Sequence, residues 1–137
     1  MRIGSLFSGI DGLAMGLEWA NVGHTVWQVE KNAFARSILA RHWSHAMRFD
    51  DVRMVGRNEL DPVDVICGGF PCVDISNAGK QAGIEGKESG LWSHFRRIIS
   101  ELVPSWVVIE NVTALRRRGL VTVLGDLATL GYDAEWH

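Results

Sequence analysis

Short apolar runs alternate along this chain with longer segments whose apolar residues recur at helical spacing. Runs at Ile3 to Phe7, Thr25 to Val29, Val63 to Cys67 and Trp106 to Ile109 predict strands, with a minor one near Arg48 to Phe49. Leu91, Trp92, Phe95, Ile98, Ile99, Leu102 and Val103 mark one face of a helix that Pro104 stops. Asn32 is placed to cap a helix running to about Trp43, with Phe34, Ile38 and Leu39 facing inward. Gly12 to Ala20 and Leu120 to Leu130 predict two more helices, the last closed by Gly131 as a left-handed cap. Strands alternating with helices predict a parallel sheet, and the unbroken run Val107-Val108-Ile109, with Val63 to Cys67, predicts strands covered on both faces. The expected fold class is therefore α/β, a doubly wound, mostly parallel sheet. With no repeat, low-complexity tract or linker, residues 1–137 are read as one domain.

Composition narrows this picture only a little. A chain of 137 residues, 47% hydrophobic, can bury one real core. A formal charge of −2 gives no global basic field, so composition neither identifies nor excludes a nucleic-acid partner. Cys67 and Cys72 are too few and too close for a secreted disulfide framework, and neither their spacing nor any further ligand fits a metal. No apolar stretch approaches the ~18 residues of a membrane span, and Met1 leads directly into a strand, so the expectation is a cytoplasmic protein without a membrane partner. The run Arg116-Arg117-Arg118, like Arg96 and Arg97, reads as solvated charge before a phosphate-backbone contact, and the six tryptophans fall mostly at core-like positions.

Three stretches carry chemistry. Phe7-Ser8-Gly9-Ile10-Asp11-Gly12-Leu13 follows the first strand and opens the first helix, where glycines let a ligand approach backbone amides. Glu30 closes the second strand, where a carboxylate accepts hydrogen bonds from ribose hydroxyls. The spacing does not match the dinucleotide fingerprint, and Asp11 puts a negative charge where a pyrophosphate would sit; a cofactor without phosphate tolerates it. An ordinary glycine-containing turn beside a strand-terminal acid fits the same residues. Gly68-Gly69-Phe70-Pro71-Cys72 follows a buried strand at the mouth of the sheet and opens a long irregular stretch to Gly90. Cys72 there is either a nucleophile or a small buried hydrophobe, whereas Cys67, inside the strand, is the latter. Glu110-Asn111-Val112 ends the Trp106 to Ile109 strand, and its acid is either a proton donor at the site or a solvated strand end.

Taken together, these residues resemble the cytosine-5 DNA methyltransferase family. Phe7 to Leu13 is similar to its cofactor loop, Gly69-Phe70-Pro71-Cys72 to its nucleophile motif and Glu110-Asn111-Val112 to its acid motif. Ile75-Ser76-Asn77-Ala78-Gly79-Lys80-Gln81 resembles its mobile catalytic loop and Ser89-Gly90-Leu91-Trp92 the segment that follows. The resemblance implies a Rossmann-like fold dependent on S-adenosylmethionine, with duplex DNA as partner and the target cytosine turned out of the stack. It implies Cys72 and Glu110 as catalytic residues. It implies a cofactor lined by Phe7, Ser8, Gly9, Ile10, Gly12 and Leu13, with Glu30 on the ribose, Asp51 on the adenine amine, and Val52, Pro71 and Leu91 nearby.

Departures from the family pattern sharpen the expectations. Asp11 stands where the family most often has Gly, Lys31 where an aromatic residue often stacks on adenine, and Val73 and Asp74 differ from the usual residues after the cysteine. The family continues beyond the Gly131 to His137 segment with a Gln-x-Arg-x-Arg motif, a target-recognition region and a closing helix. The expectation is thus a partial cofactor-binding and catalytic domain whose sheet stops after the fifth strand, leaving Trp106 to Ile109 at an edge. That edge would pair with itself or with a second polypeptide carrying the C-terminal motifs, unless Leu120 to His137 shields it. A catalytically silent cofactor-binding module and an RNA cytosine-5 methyltransferase fragment are the alternatives.

Overall fold

Five strands pair in parallel in the order β3-β2-β1-β4-β5: β1 (Arg2–Leu6), β2 (His24–Val29), β3 (Met47–Phe49), β4 (Val65–Gly68) and β5 (Trp106–Ile109). They are joined by helices α1 (Gly12–Trp19), α2 (Ala33–His42) and α3 (Leu91–Leu102), and followed by the short α4 (Leu115–Arg118) and by α5 (Leu120–Thr129). This is a computed structural model, and it describes residues 1–71 and 90–136, with Arg118 described by its backbone alone. The chain steps outward from β1 to β2 and β3, then crosses back to lay β4 and β5 on the other side of β1. The connections after β1 and β4 therefore diverge, which opens a crevice at the carboxyl ends of the central strands.

The alternation along β4 shows why these strands lie inside. Ile66 joins Leu6, Trp27, Val29, Phe95, Ile98, Ile99, Val123 and Leu127 on one face, while Val65 and Cys67 join Ile3 and Ala14 on the other. β5 repeats the pattern, with Val107 and Ile109 packed toward α3 and Val108 toward α1. Burial of such side chains, at roughly 1.5–3 kcal/mol each, drives the sheet and its helical layers together.

Local chemistry sets the helix ends. The Asn32 side chain accepts from the Ala35 amide at 3.0 Å and caps α2, as its type predicts. Asn21, at φ 57°, closes α1 with bonds from its own amide to Glu18 and from Val22 to Leu17, a Schellman arrangement. Gly131, at φ 89°, closes α5 in the same way, and the Tyr132 hydroxyl then donates to the Pro104 carbonyl at 2.6 Å.

Several expectations are corrected. β1 stops at Leu6, since Phe7 turns to φ 54°. β4 starts at Val65 rather than Val63, because Asp64 pairs with Arg2 partly through its side chain, which accepts the Arg2 amide at 2.7 Å. Phe34 is 75% exposed: Ala35 and Leu39 set the inward face of α2, and a residue one step away points about 100° off it. Trp19, Trp106 and Trp136 are exposed, so only Trp27, Trp43 and Trp92 serve the interior. Val103 is 67% exposed because the backbone leaves α3 there at φ 49°.

β5 lies at the edge of the described sheet. Trp106 and Glu110 donate to Asp64 and Gly68 of the β4 segment, so the Val107 and Ile109 amides between them point away from β4, and none of the described residues pairs with them. α5 docks on α3, where Asp126 accepts from the Trp92 indole at 2.8 Å and pairs with Arg96 at 3.2 Å. No helix among the described residues is long and apolar enough to cross a membrane.

A β-branched residue in the left-handed region costs roughly 1–2 kcal/mol. Replacing the exposed Val103 by Asn, which tolerates that region, is expected to raise the unfolding free energy by about 1 kcal/mol in urea titration; an unchanged or lower value would contradict the assigned turn.

Candidate active site

The turn after β1 is wound tightly by three residues in the left-handed region, Phe7, Gly9 and Asp11, at φ 54°, 56° and 63°. The Ser8 amide donates to the Val29 carbonyl at 3.2 Å, which holds the turn against β2. The Gly9 amide donates to one oxygen of Glu30 at 2.7 Å, and the Asn32 amide to the other at 2.7 Å. Each carboxylate oxygen keeps a lone pair, so Glu30 is oriented yet still able to accept two hydroxyls. A Cβ on Gly9 would meet none of the described atoms within 4 Å. Ile10 stands 65% exposed at the tip, and Phe7 stacks on Phe95 with centroids 6.2 Å apart.

Asp11 does not face that space. Its carboxylate is 2% exposed and accepts from the Ser5 hydroxyl and the Gln28 side-chain amide, each at 2.7 Å. The expected charge at a pyrophosphate position is thus corrected, because donors on β1 and β2 draw the group beneath the turn. Burial raises its proton affinity above the usual carboxylate range, and the bonds from Ser5 and Gln28 counter that only in part. Burial, and then the nearby Asp11 charge, push the Cys67 thiol up to about 12.

At the ends of β4 and β5 the chain is drawn together by backbone and side chain alike. The Glu110 amide donates to the Gly68 carbonyl at 3.1 Å, and the Asn111 side chain donates to the Phe70 carbonyl at 3.0 Å. A Cβ on Gly69 would lie 2.9 Å from a Glu110 carboxylate oxygen, so glycine there lets the acid lean over the turn that leads to Cys72. The Phe70 ring meets Trp92 at 5.3 Å, Trp92 meets Phe95 at 5.7 Å, and Phe95 meets Phe7. A row of four aromatic rings therefore supports both turns from beneath.

The C-5 cytosine-specific DNA methylase family model matches residues 1–137, the whole of this crevice included. The chain belongs to that family. The Type II methyltransferase M2.BsuMI of Bacillus subtilis (strain 168) is 33% identical over 96% of the chain, and M.PspPI of Psychrobacter sp. (strain TA137) is 37% identical over 93% of it. The chain spans 35% and 32% of those two relatives' lengths. Among solved structures, a DNA modification methyltransferase encoded within an E. coli prophage superposes with TM-score 0.71 at 26% identity, covering 95% of this chain and 37% of that one. The S. pombe Dnmt2 methyltransferase shares the fold at TM-score 0.73 and 17% identity, covering 97% of this chain and 41% of that one.

The crevice gathers Phe7 to Ile10, Gly12, Glu30, Gly69 to Pro71 and Glu110 at the carboxyl end of the sheet. Leu13 turns instead to the core on the α1 side, and Val52 is buried in a 3-10 turn, Val52–Met54. Leu91 opens α3, half-buried against the main core. Asp51 is engaged by Arg53, whose side chain donates at 2.8 Å and whose amide also donates, holding the carboxyl well below the usual range. Cys72, Val73, Asp74, Ile75 to Gln81 and Ser89 lie outside the described residues. A shallow cleft of about 430 Å³ lined by Arg36, Arg48, Phe49 and Asp50 sits beyond β3 and contains none of the expected site residues. Asn32 and Asn111 gain roles that residue type alone did not reveal: Asn32 donates its own backbone amide to the Glu30 carboxylate, and Asn111 its side-chain amide to the Phe70 carbonyl.

A thiol reagent applied to the folded chain near neutral pH is expected to modify Cys67 far more slowly than it does in the unfolded chain. Mass spectrometry that finds Cys67 modified at a comparable rate would contradict the buried, strongly raised thiol.

Proposed function

We propose that this chain forms the cofactor-binding and nucleophile-bearing part of an enzyme that methylates C5 of cytosine in DNA, working in the reducing cytoplasm. The observation that carries this reading is the approach of Glu110 to the Gly69 turn, 2.9 Å from a Gly69 Cβ position, two strands away from the Gly9–Glu30 clamp. An acid, the turn before a cysteine and the Gly9–Glu30 clamp then stand at the carboxyl ends of neighbouring strands of one sheet.

The Gly9 backbone, open on one side, and the Glu30 carboxylate with its free lone pairs suit the ribose of S-adenosylmethionine; Phe7, Ser8, Ile10, Gly12, Asp51, Val52, Pro71 and Leu91 would complete its surroundings. When bound, this cofactor supplies an electrophilic methyl group. A cytosine ring stacked in a duplex is unreachable, so the base must be rotated out into the crevice. There the Cys72 thiolate would add to C6, forming the sulfur–carbon bond and moving an electron pair toward C5. Glu110 would hold N3 and the exocyclic amine, stabilising the charge that the addition places on the ring. After C5 is substituted, loss of its proton expels Cys72 and restores the aromatic ring.

The outward amides of Val107 and Ile109 give a second polypeptide carrying the remaining family motifs, or a second copy of this chain, a strand to pair with. Labelled methyl transfer to mixed-sequence duplex DNA, measured with and without such a polypeptide, tests both parts of the proposal. Transfer is expected in its presence, lost with Cys72→Ser and lowered at least ~10²-fold with Glu110→Gln. A 5-fluorocytosine duplex should trap Cys72 covalently. No transfer in either arm despite cofactor binding would make this a silent module, and transfer confined to RNA would overturn DNA as the substrate.

A further inference from the structure

Asp11 occupies the one position of the turn where a negative side chain sits in place of the small residue that a left-handed backbone favours. At φ 63° and ψ 41° it would be strained if nothing held it, and Asp is among the few residues that tolerate that region. Its side chain reaches two different strands, taking a bond from Ser5 on β1 and another from Gln28 on β2, both buried. Its backbone closes the same turn from the other side: the Asp11 amide donates to the Ser8 carbonyl at 2.7 Å, and the Asp11 carbonyl accepts from Met15 at 3.0 Å. Gly9, two residues earlier, is the residue that Glu30 clamps. The turn is thus pinned by one carboxylate from above and by another from below.

We propose that Asp11 is a positioning residue for the cofactor: a buried anchor that holds the Gly9 to Gly12 backbone in the shape the adenosine moiety meets. The inference rests on the proposed cofactor site and goes beyond it, since it assigns to this side chain the task of ordering the recess before anything binds. Where a glycine would leave the turn free to sample many conformations, the bonds to Ser5 and Gln28 select one, and a recess ordered in advance binds with less loss of entropy. The fit to Asn is close. Its carbonyl would accept from Ser5, and its amide would donate to the Gln28 side-chain oxygen, which has no hydrogen-bond partner among the described residues, once the Gln28 amide turns over. Asn also tolerates the left-handed region.

The test uses the full chain with Asp11→Asn, Asp11→Gly and Ser5→Ala, titrated with S-adenosylhomocysteine by calorimetry, and amide hydrogen exchange at Gly9, position 11 and Met15, whose amides are bonded within the turn, without ligand. Asp11→Asn is expected to keep affinity within about twofold. Asp11→Gly, which retains the backbone freedom but loses both bonds, should weaken it about tenfold, with Ser5→Ala in between. Exchange at the three amides should quicken in the same order, which a general loss of stability would not confine to this turn. Equal affinity and equal exchange in Asp11→Gly and the parent would overturn the proposal. If the parent chain itself fails to bind, the cofactor reading falls, and exchange in the unliganded variants still decides whether Asp11 is the anchor. Should Asp11→Gly fail to fold, Ser5→Ala set against Asp11→Asn decides the same question: faster exchange and weaker binding in Ser5→Ala support the anchor, and no difference between the two overturns it.

Discussion

Two hydrogen bonds of 2.7 Å, from the Gly9 and Asn32 amides to the two oxygens of Glu30, tie the turn after β1 to the end of β2. Their geometry depends on the central place of β1. With β2 on one side and β4 on the other, the chain leaving β1 must turn in a gap between diverging connections, and only a tight left-handed turn keeps it from blocking that gap. Charge-assisted bonds from a carboxylate to backbone amides are stronger than neutral ones, so the turn is fixed by interactions that leave its outer surface free.

The opposite wall is built by a different means. β5 carries its acid past the end of β4, and the absence of a side chain on Gly69 gives Glu110 room to approach. Asn111 fastens the Phe70 carbonyl, while the row Phe70, Trp92, Phe95 and Phe7 joins this wall to the turn after β1 through the apolar face of α3. The indole of Trp92 extends the link to Asp126 on α5. A disturbance of the helical layer therefore reaches both walls together, because packed rings transmit displacement where a loop would absorb it.

Much of this was legible in the chain. Strands buried on both faces announce themselves as unbroken apolar runs, so the strand cores and the parallel, doubly wound class followed from pattern alone, and the caps at Asn32 and Gly131 from residue type. Boundaries were less legible, because they depend on partners far away in sequence: Asp64 begins its pairing through a side chain, and Phe7 leaves β1 by a backbone turn. Apolar residue type misled at Phe34, Val103 and half of the tryptophans, where position on the helix or strand outweighs hydrophobicity. At the site, the motifs located Glu30, Glu110 and the glycine turns, but Asp11 was read as a charge facing a ligand. Its partners lie 6 and 17 residues away, and no local pattern says that the side chain turns inward to meet them.

The methyl transfer proposed for this chain requires that the space beside Gly9, Glu30 and Asp51 receive the adenosine. Titrating isotope-labelled chain with S-adenosylhomocysteine, and following the backbone amides by NMR, shows where the ligand sits. Saturable shifts are expected to be largest at Gly9, Glu30, Asn32, Asp51 and Val52, with β5 and α5 little changed. Shifts centred on the cleft beside Arg36 and Arg48, or none at millimolar ligand, would refute that placement.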